Sequence, residues 1–451
     1  MGSVGSSFKK GAVTAGVVAS MAIWAGPAFG ATIKVDTTQD QFGTGNACSL
    51  REAIQSANTD AAYGGCASGQ GADTIDLFAG KRYIRFRAGA DDANAVGDYD
   101  ITSQVAIDVK GEGRATVDAG GLNRVIQILP GAKLTASKLT ITNGDVAINQ
   151  PANDTAGGGI LNDGTLILSR SQVTKNETLG NAQCTCGGGI SVYGTAKLHR
   201  VEVIDNRADN IGGGVAWLGG TLVVEKSTIA ANTSGYVGGG FYLGANSGHN
   251  TAAISDSTIS ANTELGAGTN AGGGGITVSD FVSSKLTATN VTIAQNRAYG
   301  SGGGVYVYAG SIALSYATVA RNIADFGGGA GGNGGGLGGG GVNATNSIVA
   351  LNHDRNTTNT MDDCFLAGAQ SSVVGRDTGC TGSPQNRVTH HPDLGPLADN
   401  GGPTETIALS KDSPAVDHAT KPAPKRDQRG RERDDHPDIG AYERLPTHHS
   451  R

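Results

Sequence analysis

A short polar segment holds the residue types that a polysaccharide lyase uses. Asp205 and Asp209 flank Arg207. A lyase needs a base that removes the proton next to a uronate carboxylate and a cation that neutralises this carboxylate. Arg207 could supply the cation, and the two aspartates could bind Ca²⁺. The next repeat of the chain has no charged residue at the corresponding positions, so an ordinary salt bridge in a turn is the alternative interpretation.

A second acidic segment lies further along the chain. Asp362 and Asp363 follow His353 and Asp354, and these residues could form the carboxylate set of a glycoside hydrolase. The segment adjoins Cys364, so it also fits a polar loop beside a disulfide bond. The spacing of potential ligands predicts no metal site, and Ca²⁺ is expected only if the protein is a lyase.

A repeated pattern must position these residues. Three glycines followed by one apolar residue recur before Ile160, Ile190, Val215, Phe241, Ile276, Val305 and Val342. Each repeat closes on an asparagine, at Asn143, Asn176, Asn206, Asn232, Asn262, Asn296, Asn322 and Asn352. The asparagines are 26 to 34 residues apart, and the sequence between them alternates without a helical period. This pattern predicts an all-β right-handed parallel β-helix in which each repeat is one coil.

The alternation also assigns a direction to each side chain. The residue three positions before each asparagine is predicted to face the interior, and the threonine before it to face outward. The interior residues are Ile229, Ile259, Ile293, Val319 and Val349, and the outward ones are Thr228, Thr258, Thr292 and Thr318. The stacked asparagine amides are expected to hydrogen-bond along the axis, and the glycines to allow positive φ. A β-propeller is the alternative, but its blades need about 40 residues or more.

Four tyrosines fall on the predicted outward face of the strand that follows the glycines. They are Tyr193, Tyr242, Tyr306 and Tyr308. Their rings could form a carbohydrate-binding platform on which sugar rings stack, with the phenol groups bonding sugar hydroxyls. The alternative is ordinary strand composition, because tyrosine favours strands. Trp217 has the inward phase and is predicted to fill the core.

The two ends of a β-helix need caps, because their strand edges are otherwise unpaired. Ser49 and Glu52 form a capping box that predicts a short helix over the N-terminal end. The charged tail from Asp427 to Glu443 predicts an irregular, ion-paired cap at the C-terminal end. Residues 327–341 are almost entirely glycine and are interpreted as an enlarged turn. A calcium-binding glycine repeat would need aspartates, which this run lacks.

Residues 1–30 have the features of a secretory signal peptide. Lys9 and Lys10 precede an apolar stretch that is too short to cross a bilayer, and a small-residue cleavage site ends at Gly30. We therefore expect a secreted or cell-surface protein that begins at Ala31. Export also favours disulfide bonds over free thiols.

Six cysteines allow 15 disulfide pairings. Pairing of neighbours along the chain predicts the bonds Cys48–Cys66 and Cys364–Cys380. A bond between Cys184 and Cys186 would close a very small ring, so this pair could instead be reduced.

The composition excludes several classes of protein. Glycine accounts for 73 of 451 residues, well below the one third that collagen requires. With 38% hydrophobic and 16% charged residues, the chain does not belong to the disordered class. The net charge is -6 and no basic stripe with interleaved aromatic residues runs along the sequence, so a nucleic-acid partner is not expected.

Several motifs resemble those of a bacterial family. Residues 48–53, followed by Asn58, resemble the CSLREA-domain proteins, and residues 116–121 and 139–144 resemble their β-helix body. Residues 394–404, 413–417 and 438–443 resemble the choice-of-anchor Q domain. The family is similar in turn to polymorphic outer-membrane proteins and pectate-lyase-like helices. On the basis of this resemblance, we predict an N-terminal cap with the first strands over residues 31–110, β-helix coils over 111–360 and a C-terminal cap over 361–451.

These observations lead to two functional hypotheses. The first is a monomeric, adhesin-like protein that binds an extracellular polysaccharide or cell-surface glycan without chemistry of its own. The repeats offer polar faces with tyrosines, and the sequence has no convergent set of carboxylates or basic catalytic centre. The second is an extracellular polysaccharide lyase or glycoside hydrolase, which rests on the analogy of the fold alone.

Overall fold

The structure is a computed structural model that describes residues 30–89, 91–146, 155–180, 184–245, 250–267, 271–280, 284–328, 332–355, 363–375, 379–382 and 384–444. The predicted signal peptide lies outside the described residues except for Gly30, and Asp362 lies outside them as well. Within these ranges, no helix is long and apolar enough to cross a membrane.

The chain winds into a right-handed parallel β-helix, which confirms the predicted all-β fold class. The coils contribute strands to three parallel sheets. We call them the glycine sheet, most of whose strands follow the glycine triplets, the long sheet, which the coils cross with two strands or one bent strand, and the short sheet, whose strands follow the asparagine positions. The three sheets contain 10, 23 and 8 of the described strands, respectively.

The strands of the glycine sheet are Tyr99–Ile101, Ile126–Ile128, Ile160–Asn162, Ile190–Val192, Val215–Trp217, Phe241–Leu243, Ile276–Ser279, Val305–Ala309, Leu337–Gly338 and Cys364–Phe365. Those of the short sheet are Asp145–Val146, Glu177–Thr178, Arg207–Ala208, Thr233–Ser234, Thr263–Glu264, Arg297–Ala298, Ile323–Ala324 and His353–Asp354. The long sheet consists of Thr32–Lys34, Ala72–Phe78, Arg82–Ile84, Gln104–Lys110, Ala115–Asp118, Lys133–Ser137, Leu139–Thr142, Thr165–Ser169, Gln172–Thr174, Thr195–His199, Glu202–Ile204, Thr221–Glu225, Thr228–Ala230, Thr251–Ser260, Lys285–Ala294, Ile312–Ser315, Thr318–Ala320, Val342–Thr345, Ile348–Ala350, Gly368–Gln370, Val373–Val374, Thr381–Gly382 and Arg387–Val388. Outside the coils, helix α1 spans Leu50–Thr59, and an antiparallel pair spans Leu394–Ala398 and Thr406–Leu409.

The glycine triplets are required by backbone conformation and by close packing. In the triplet before Ile190, Gly187 has a φ of 60°, which residues with a side chain rarely adopt. A Cβ on Gly189, the last of the three, would lie 2.6 Å from the carbonyl oxygen of Gly214 in the next coil. The triplet therefore forms the corner at which the chain enters the glycine sheet, as predicted.

One predicted triplet is misplaced. The strand of the glycine sheet in this coil begins at Leu337, which pairs with Val305, whereas Val342 belongs to the long sheet. The interpretation of residues 327–341 as one enlarged turn is therefore wrong in part, because the run contains this strand. The sequence could not reveal the register, because glycine at most positions removes the alternation that would define it.

The interior is filled by the apolar residues that the alternation predicted. Ile229, Ile259 and Ile293 are each 0% exposed and pair in register through consecutive coils. Burial of each such side chain contributes about 2 kcal/mol. Trp217 is also 0% exposed, which confirms its predicted place in the core.

The asparagines form a continuous hydrogen-bonded ladder inside the turn. The Nδ2 group of Asn206 donates to Oδ1 of Asn232 at 3.0 Å, and Nδ2 of Asn232 donates to Asn262 at 3.0 Å. Each Oδ1 also accepts from the backbone N–H of the preceding asparagine, so the buried amides are satisfied. The members of the ladder are Asn176, Asn206, Asn232, Asn262, Asn296, Asn322 and Asn352.

Asn143 is not part of this ladder, which corrects the prediction. The register places Gly144, and not Asn143, opposite Asn176, whose Oδ1 accepts from the Gly144 N–H at 2.9 Å. Asn143 instead occupies the corner, with a φ of 55°, and its Nδ2 donates to Asp118 at 3.0 Å. The sequence was misleading because this coil reaches its asparagine one residue earlier than the others.

The C-terminal segment packs against the side of the β-helix and not against its end. Beyond the last strand of the coils, residues 394–444 lie across the outer face of the long sheet. The hydroxyl groups of Thr258, Thr292 and Thr318 all hydrogen-bond to this segment. These threonines face outward, as predicted, but they are at most 1% exposed because the segment covers them. These contacts place residues 394–444 on the side of the β-helix, and a cap over the C-terminal end of the coils stays a prediction.

The N-terminal region contains the predicted helix. The Ser49 hydroxyl accepts from the Glu52 N–H at 3.2 Å, and the Glu52 carboxylate accepts from the Ser49 N–H at 3.2 Å, so the capping box is complete. The apolar side of α1 is buried against the first strands of the long and glycine sheets. Parallel pairing of strands extends from Thr32 to Val388, on both sides of the predicted coil region 111–360.

Three disulfide bonds are present in the described residues. Cys48–Cys66 and Cys364–Cys380 have the predicted pairing. Cys184 is bonded to Cys186, in contrast to the reduced pair that the small ring suggested.

Candidate functional site

The outer face of the glycine sheet carries several tyrosines. Tyr242 and Tyr306 occupy the same outward column with Thr277 between them, because the three strands pair in register. Adjacent strands are about 4.8 Å apart, so two coils separate the backbones of these tyrosines by roughly 10 Å. Tyr308 follows Tyr306 on the same strand.

Three tyrosines form one group, which we call the tyrosine surface: Tyr236, Tyr306 and Tyr308. Tyr308 is 49% exposed and Tyr236 is 42% exposed, whereas Tyr306 is half-buried, with its ring over Gly272 and Gly338. Burial raises the pKa of Tyr306, and the neighbouring phenols of Tyr308 and Tyr236 raise it further. The Tyr306 hydroxyl is therefore neutral at physiological pH and can both donate and accept hydrogen bonds.

Sequence reasoning missed Tyr236. This residue lies in the loop between the short sheet and the glycine sheet, where its backbone N–H donates to the Asn210 carbonyl at 2.9 Å. It precedes Tyr306 by 70 residues. Only the closing of the coil brings its side chain near the outward column, so strand alternation contained no signal for it.

Tyr193 lies apart from the tyrosine surface. It is 42% exposed, and its hydroxyl lies 3.8 Å from the Sγ atom of Cys184. Burial raises the pKa of Tyr193, as does the nearby Asp163 carboxylate. Tyr193 follows the strand Ile190–Val192, which is two coils from the strand of Tyr242, and the strand between them carries Ala216 in register with Tyr242. The four predicted tyrosines therefore do not form one continuous platform.

The first acidic candidate segment forms an exposed salt bridge. Arg207 Nη2 lies 2.8 Å from Asp209 Oδ1, and the Arg207 side chain is 57% exposed. Such a pair contributes less than about 1 kcal/mol. Asp205 stands at the corner before the ladder, with a φ of 56°, and no described contact links it to the pair.

Two carboxylates that sequence reasoning missed lie beside Arg207. Asp145, Glu177 and Arg207 are in register on three consecutive coils of the short sheet. Burial raises the pKa of Asp145, and burial together with the Asp145 carboxylate raises the pKa of Glu177. An adjoining cavity of about 430 Å³ is also lined by Lys175. Each carboxylate follows the ladder position of its coil, which is the sequence signal that could have identified the row.

Asp363 forms the end of the asparagine ladder. Its Oδ1 accepts from the backbone N–H and from the Nδ2 group of Asn352, both at 2.8 Å. Asp363 and Asp354 are both 0% exposed, whereas His353 is exposed. A fully buried carboxylate cannot reach a polysaccharide, so Asp363 has a structural role, and Asp362 lies outside the described residues.

The charged tail forms buried ion pairs. Arg429 lies 2.6 Å from Asp427 and stacks 3.6 Å from the ring centre of Tyr442. Arg433 lies 2.8 Å from Glu443. The paired N–H groups of arginine suit such buried carboxylates, so these ion pairs stabilise the C-terminal segment.

No metal site is defined by the described part of the chain. There, no group of three or more His, Cys, Asp or Glu side chains is arranged to hold a metal ion. Binding of Ca²⁺ stays a prediction that depends on lyase activity.

Comparison with known proteins assigns the chain to no family. No family model matches the chain, and no curated protein matches it. The chain is similar to a solved structure described as the crystal structure of pectate lyase Pel9A, with a TM-score of 0.42 and 12% identity over 83% of this chain and 88% of that chain. The resemblance to CSLREA-domain and choice-of-anchor Q proteins therefore stays a prediction.

Proposed function

We propose that this protein binds polysaccharide at the tyrosine surface and has no catalytic chemistry of its own. The observation that carries the proposal is the group of Tyr236, Tyr306 and Tyr308, two of which are more than 40% exposed. A contiguous exposed group of large apolar side chains is a common mark of a binding surface. Sugars bind to such groups because their apolar C–H faces pack against aromatic rings while their hydroxyls bond the phenols.

The arrangement of the glycine sheet supports a polymeric ligand. Tyr242 lies in the same outward column as Tyr306, two coils away. The coil spacing of about 4.8 Å leaves roughly 10 Å between their backbones, a length that an extended oligosaccharide spans. A sugar chain that follows the axis could therefore contact both tyrosines.

Affinity electrophoresis in neutral and acidic polysaccharides tests this proposal. We expect at least one polymer to retard the mature protein, and calorimetry on that polymer gives the Kd. In the double variant Tyr236→Ala/Tyr308→Ala, the Kd should rise about tenfold, because each lost stacking contact is worth about 0.5 to 1.5 kcal/mol.

Phe86→Ala is the matched control, because Phe86 is a 61% exposed aromatic residue of the N-terminal region. This variant should bind with the Kd of the original protein. The proposal is wrong if no polysaccharide retards the protein. It is also wrong if Phe86→Ala weakens binding as much as the double variant does.

The proposed place of action is outside the cell or at its surface. This part of the proposal rests on the signal-like residues 1–30 and on the resemblance to secreted CSLREA-domain proteins. After expression in a bacterial host, N-terminal sequencing of the exported protein should begin at Ala31, and light scattering should give the mass of a monomer. Retention of the full-length chain in the cytoplasm would contradict export.

Cleavage of a polysaccharide by a lyase or hydrolase is a second candidate function. The observation that favours it is the row of Asp145, Glu177 and Arg207, in which two carboxylates with raised pKa adjoin a cation. A lyase acting on a uronate polymer would form an unsaturated product that absorbs in the ultraviolet, and a hydrolase would increase the reducing ends. If neither signal rises over the panel with Ca²⁺ present, or if Glu177→Gln leaves it unchanged, this candidate is rejected.

A further inference from the structure

Each coil crosses the long sheet through a bend at which one residue has a left-handed backbone conformation. Arg170 has a φ of 49°, Arg200 of 55° and Lys226 of 51°. We call the residues at this position the bend column, and its members are Lys138, Arg170, Arg200, Lys226, Asp256, Asn290, Tyr316, Asn346 and Ser371. They stack along the axis because the strands that precede them pair in register.

Buried serines hold the bend in place. Ser171, next to Arg170, donates from its hydroxyl to a carbonyl of its own coil at 2.7 Å and accepts from the N–H of Leu139 in the preceding coil at 3.0 Å. Ser227, next to Lys226, makes the corresponding contacts at 2.8 and 3.0 Å. A left-handed conformation costs a residue with a side chain about 1 kcal/mol or more, so these bonds are needed to maintain it. They hold the basic side chains on the outer surface of the sheet.

The composition of the bend column changes where the C-terminal segment begins to cover it. From Asp256 to Asn346, the column contacts this segment: Asn290 donates to the Arg426 carbonyl, and Asn346 donates to the Thr420 carbonyl, both at 2.9 Å. None of the covered members is basic. The four members before them, all of which are exposed or half-exposed, are Lys138, Arg170, Arg200 and Lys226. Basic residues therefore occupy the column only where it is open to solvent.

The exposed basic residues line a groove beside the edge of the C-terminal segment. This groove, which we call the basic groove, has a volume of about 490 Å³. Its walls include Arg114, Arg170, Arg200 and Lys226 on the side of the coils and Gly402 and Pro403 on the side of the segment. Within the described contacts, Arg170 and Arg200 have no ion-pair partner.

The carboxylates near the basic groove do not neutralise it. Glu202 accepts from Arg114 at 3.2 Å and from Gln172 at 3.0 Å. Glu225 lies 3.5 Å from His199, and Asp256 is the acidic neighbour of Lys226 in the column. Because His199 balances Glu225 only when it is protonated, the four cations Arg114, Arg170, Arg200 and Lys226 face three carboxylates, Glu202, Glu225 and Asp256. The groove thus keeps an excess of positive charge on a chain with a net charge of -6.

We propose that the basic groove binds an acidic polysaccharide that carries one carboxylate or sulfate group on each sugar. Successive coils repeat a cation about every 4.8 Å, close to the length of one sugar in an extended chain, so anions and cations have matching periods. Guanidinium groups suit this ligand because two N–H groups bond two oxygens of the same anion. The sequence hides the site, because Arg170, Arg200 and Lys226 are 30 and 26 residues apart along the chain.

The basic groove is separate from the tyrosine surface. The groove belongs to the bend in the long sheet, whereas the tyrosines lie on the outer face of the glycine sheet and its preceding corner. Either site can bind its ligand when the other is removed. The experiments on the two sites therefore fail or succeed independently.

Binding of polygalacturonate, dextran sulfate and neutral dextran, each at several salt concentrations, tests the inference. We expect both acidic polymers to bind with a Kd that rises with salt, and neutral dextran not to bind at the groove. The variant Arg170→Asn/Arg200→Asn/Lys226→Asn should bind the acidic polymers at least about tenfold more weakly and with a smaller salt dependence, because fewer counterions are exchanged. Asparagine is the chosen replacement because Asn290 and Asn346 occupy the same bend naturally.

The control variant Lys285→Asn/Lys411→Asn/Lys425→Asn removes the same charge from exposed sites elsewhere. It should bind as the original protein does, and equal thermal midpoints should show that both triple variants are folded. Tyr236→Ala/Tyr308→Ala should leave the salt dependence unchanged. The inference is overturned if the bend variant binds like the original protein or if the control variant loses as much affinity. Duplex DNA that binds as tightly as the acidic polysaccharides would also overturn it and mark a nucleic-acid surface.

Discussion

Gln428 hydrogen-bonds to Thr258 across 170 residues of sequence. Its Nε2 donates to Thr258 Oγ1 at 2.9 Å, while its Oε1 accepts from Thr292 Oγ1 in the next coil at 2.7 Å. One side chain of the C-terminal segment thus joins two coils. The outer face of the long sheet is therefore a solvent face in the earlier coils and an internal interface in the later ones.

This contact predicts a large difference between two equivalent threonines. Thr258→Asp should reduce the free energy of unfolding by about 3 kcal/mol or more, because it buries a carboxylate without a counter-charge and breaks the bond to Gln428. Thr228→Asp, at the paired position one coil earlier, is half-exposed and should change the free energy by less than about 1 kcal/mol. Urea unfolding measures both. Equal effects would mean that the C-terminal segment does not cover Thr258 in solution.

The asparagine ladder predicts a second contrast. Asn232→Ala removes the acceptor of Asn206 and the donor to Asn262 inside the turn, so it should cost about 3 kcal/mol. Asn143→Gly, outside the ladder, keeps the left-handed corner and loses one bond to Asp118, so it should cost about 1 kcal/mol or less. Denaturant unfolding of the two variants compares these costs. A small effect of Asn232→Ala would show that water can replace the ladder.

The disulfide bonds should differ in their contribution to stability. Cys48–Cys66 spans 18 residues of sequence, whereas Cys184–Cys186 spans 2. Because a cross-link restricts the unfolded chain more when its loop is longer, replacing the first pair by serine should cost about 3 kcal/mol and the second about half as much. Unfolding midpoints of the two double variants test this order. The reverse order would indicate that the short bond supports the coil directly.

The β-helix could be predicted because each coil contains several independent sequence signals. A glycine triplet, an alternating run with Ile229 at its centre and a closing Asn232 recur together, and each reflects a local requirement of backbone or packing. Local requirements are visible in sequence. At Asn143 the asparagine of the coil is displaced by one residue, so the predicted ladder position was wrong there.

The surfaces could not be predicted in the same way, because they depend on which coils meet and on what covers them. Strand alternation places Thr258 on the outer face, where an exposed residue is expected, and only the C-terminal segment buries it. Arg170 and Arg200 look isolated in sequence, and Tyr236 lies outside any strand. Because the coils differ in length, no fixed sequence period reveals such columns. The candidate site could therefore be identified only from the structure.

Glu264 gives the stability of the fold a dependence on pH. Its side chain is fully buried at the end of the short-sheet strand Thr263–Glu264, where it accepts from the backbone N–H groups of Gly300 and Gly266. Burial raises its pKa from 4.5 to about 7. Since the pKa of the folded state lies above that of the unfolded state, the carboxyl group stabilises the fold fully below pH 4.5, and this contribution is lost as the pH rises through about 7.

Glu264→Gln should remove this dependence. The free energy of unfolding of the variant, minus that of the original protein, should increase by about 3 kcal/mol between pH 4 and pH 8, because each tenfold change in proton affinity corresponds to about 1.4 kcal/mol. Other titrating groups, including Asp438, cancel in this difference. Urea unfolding at intervals of one pH unit measures it. A difference that does not vary with pH would show that the Glu264 carboxylate ionises as readily in the folded protein as in the unfolded chain.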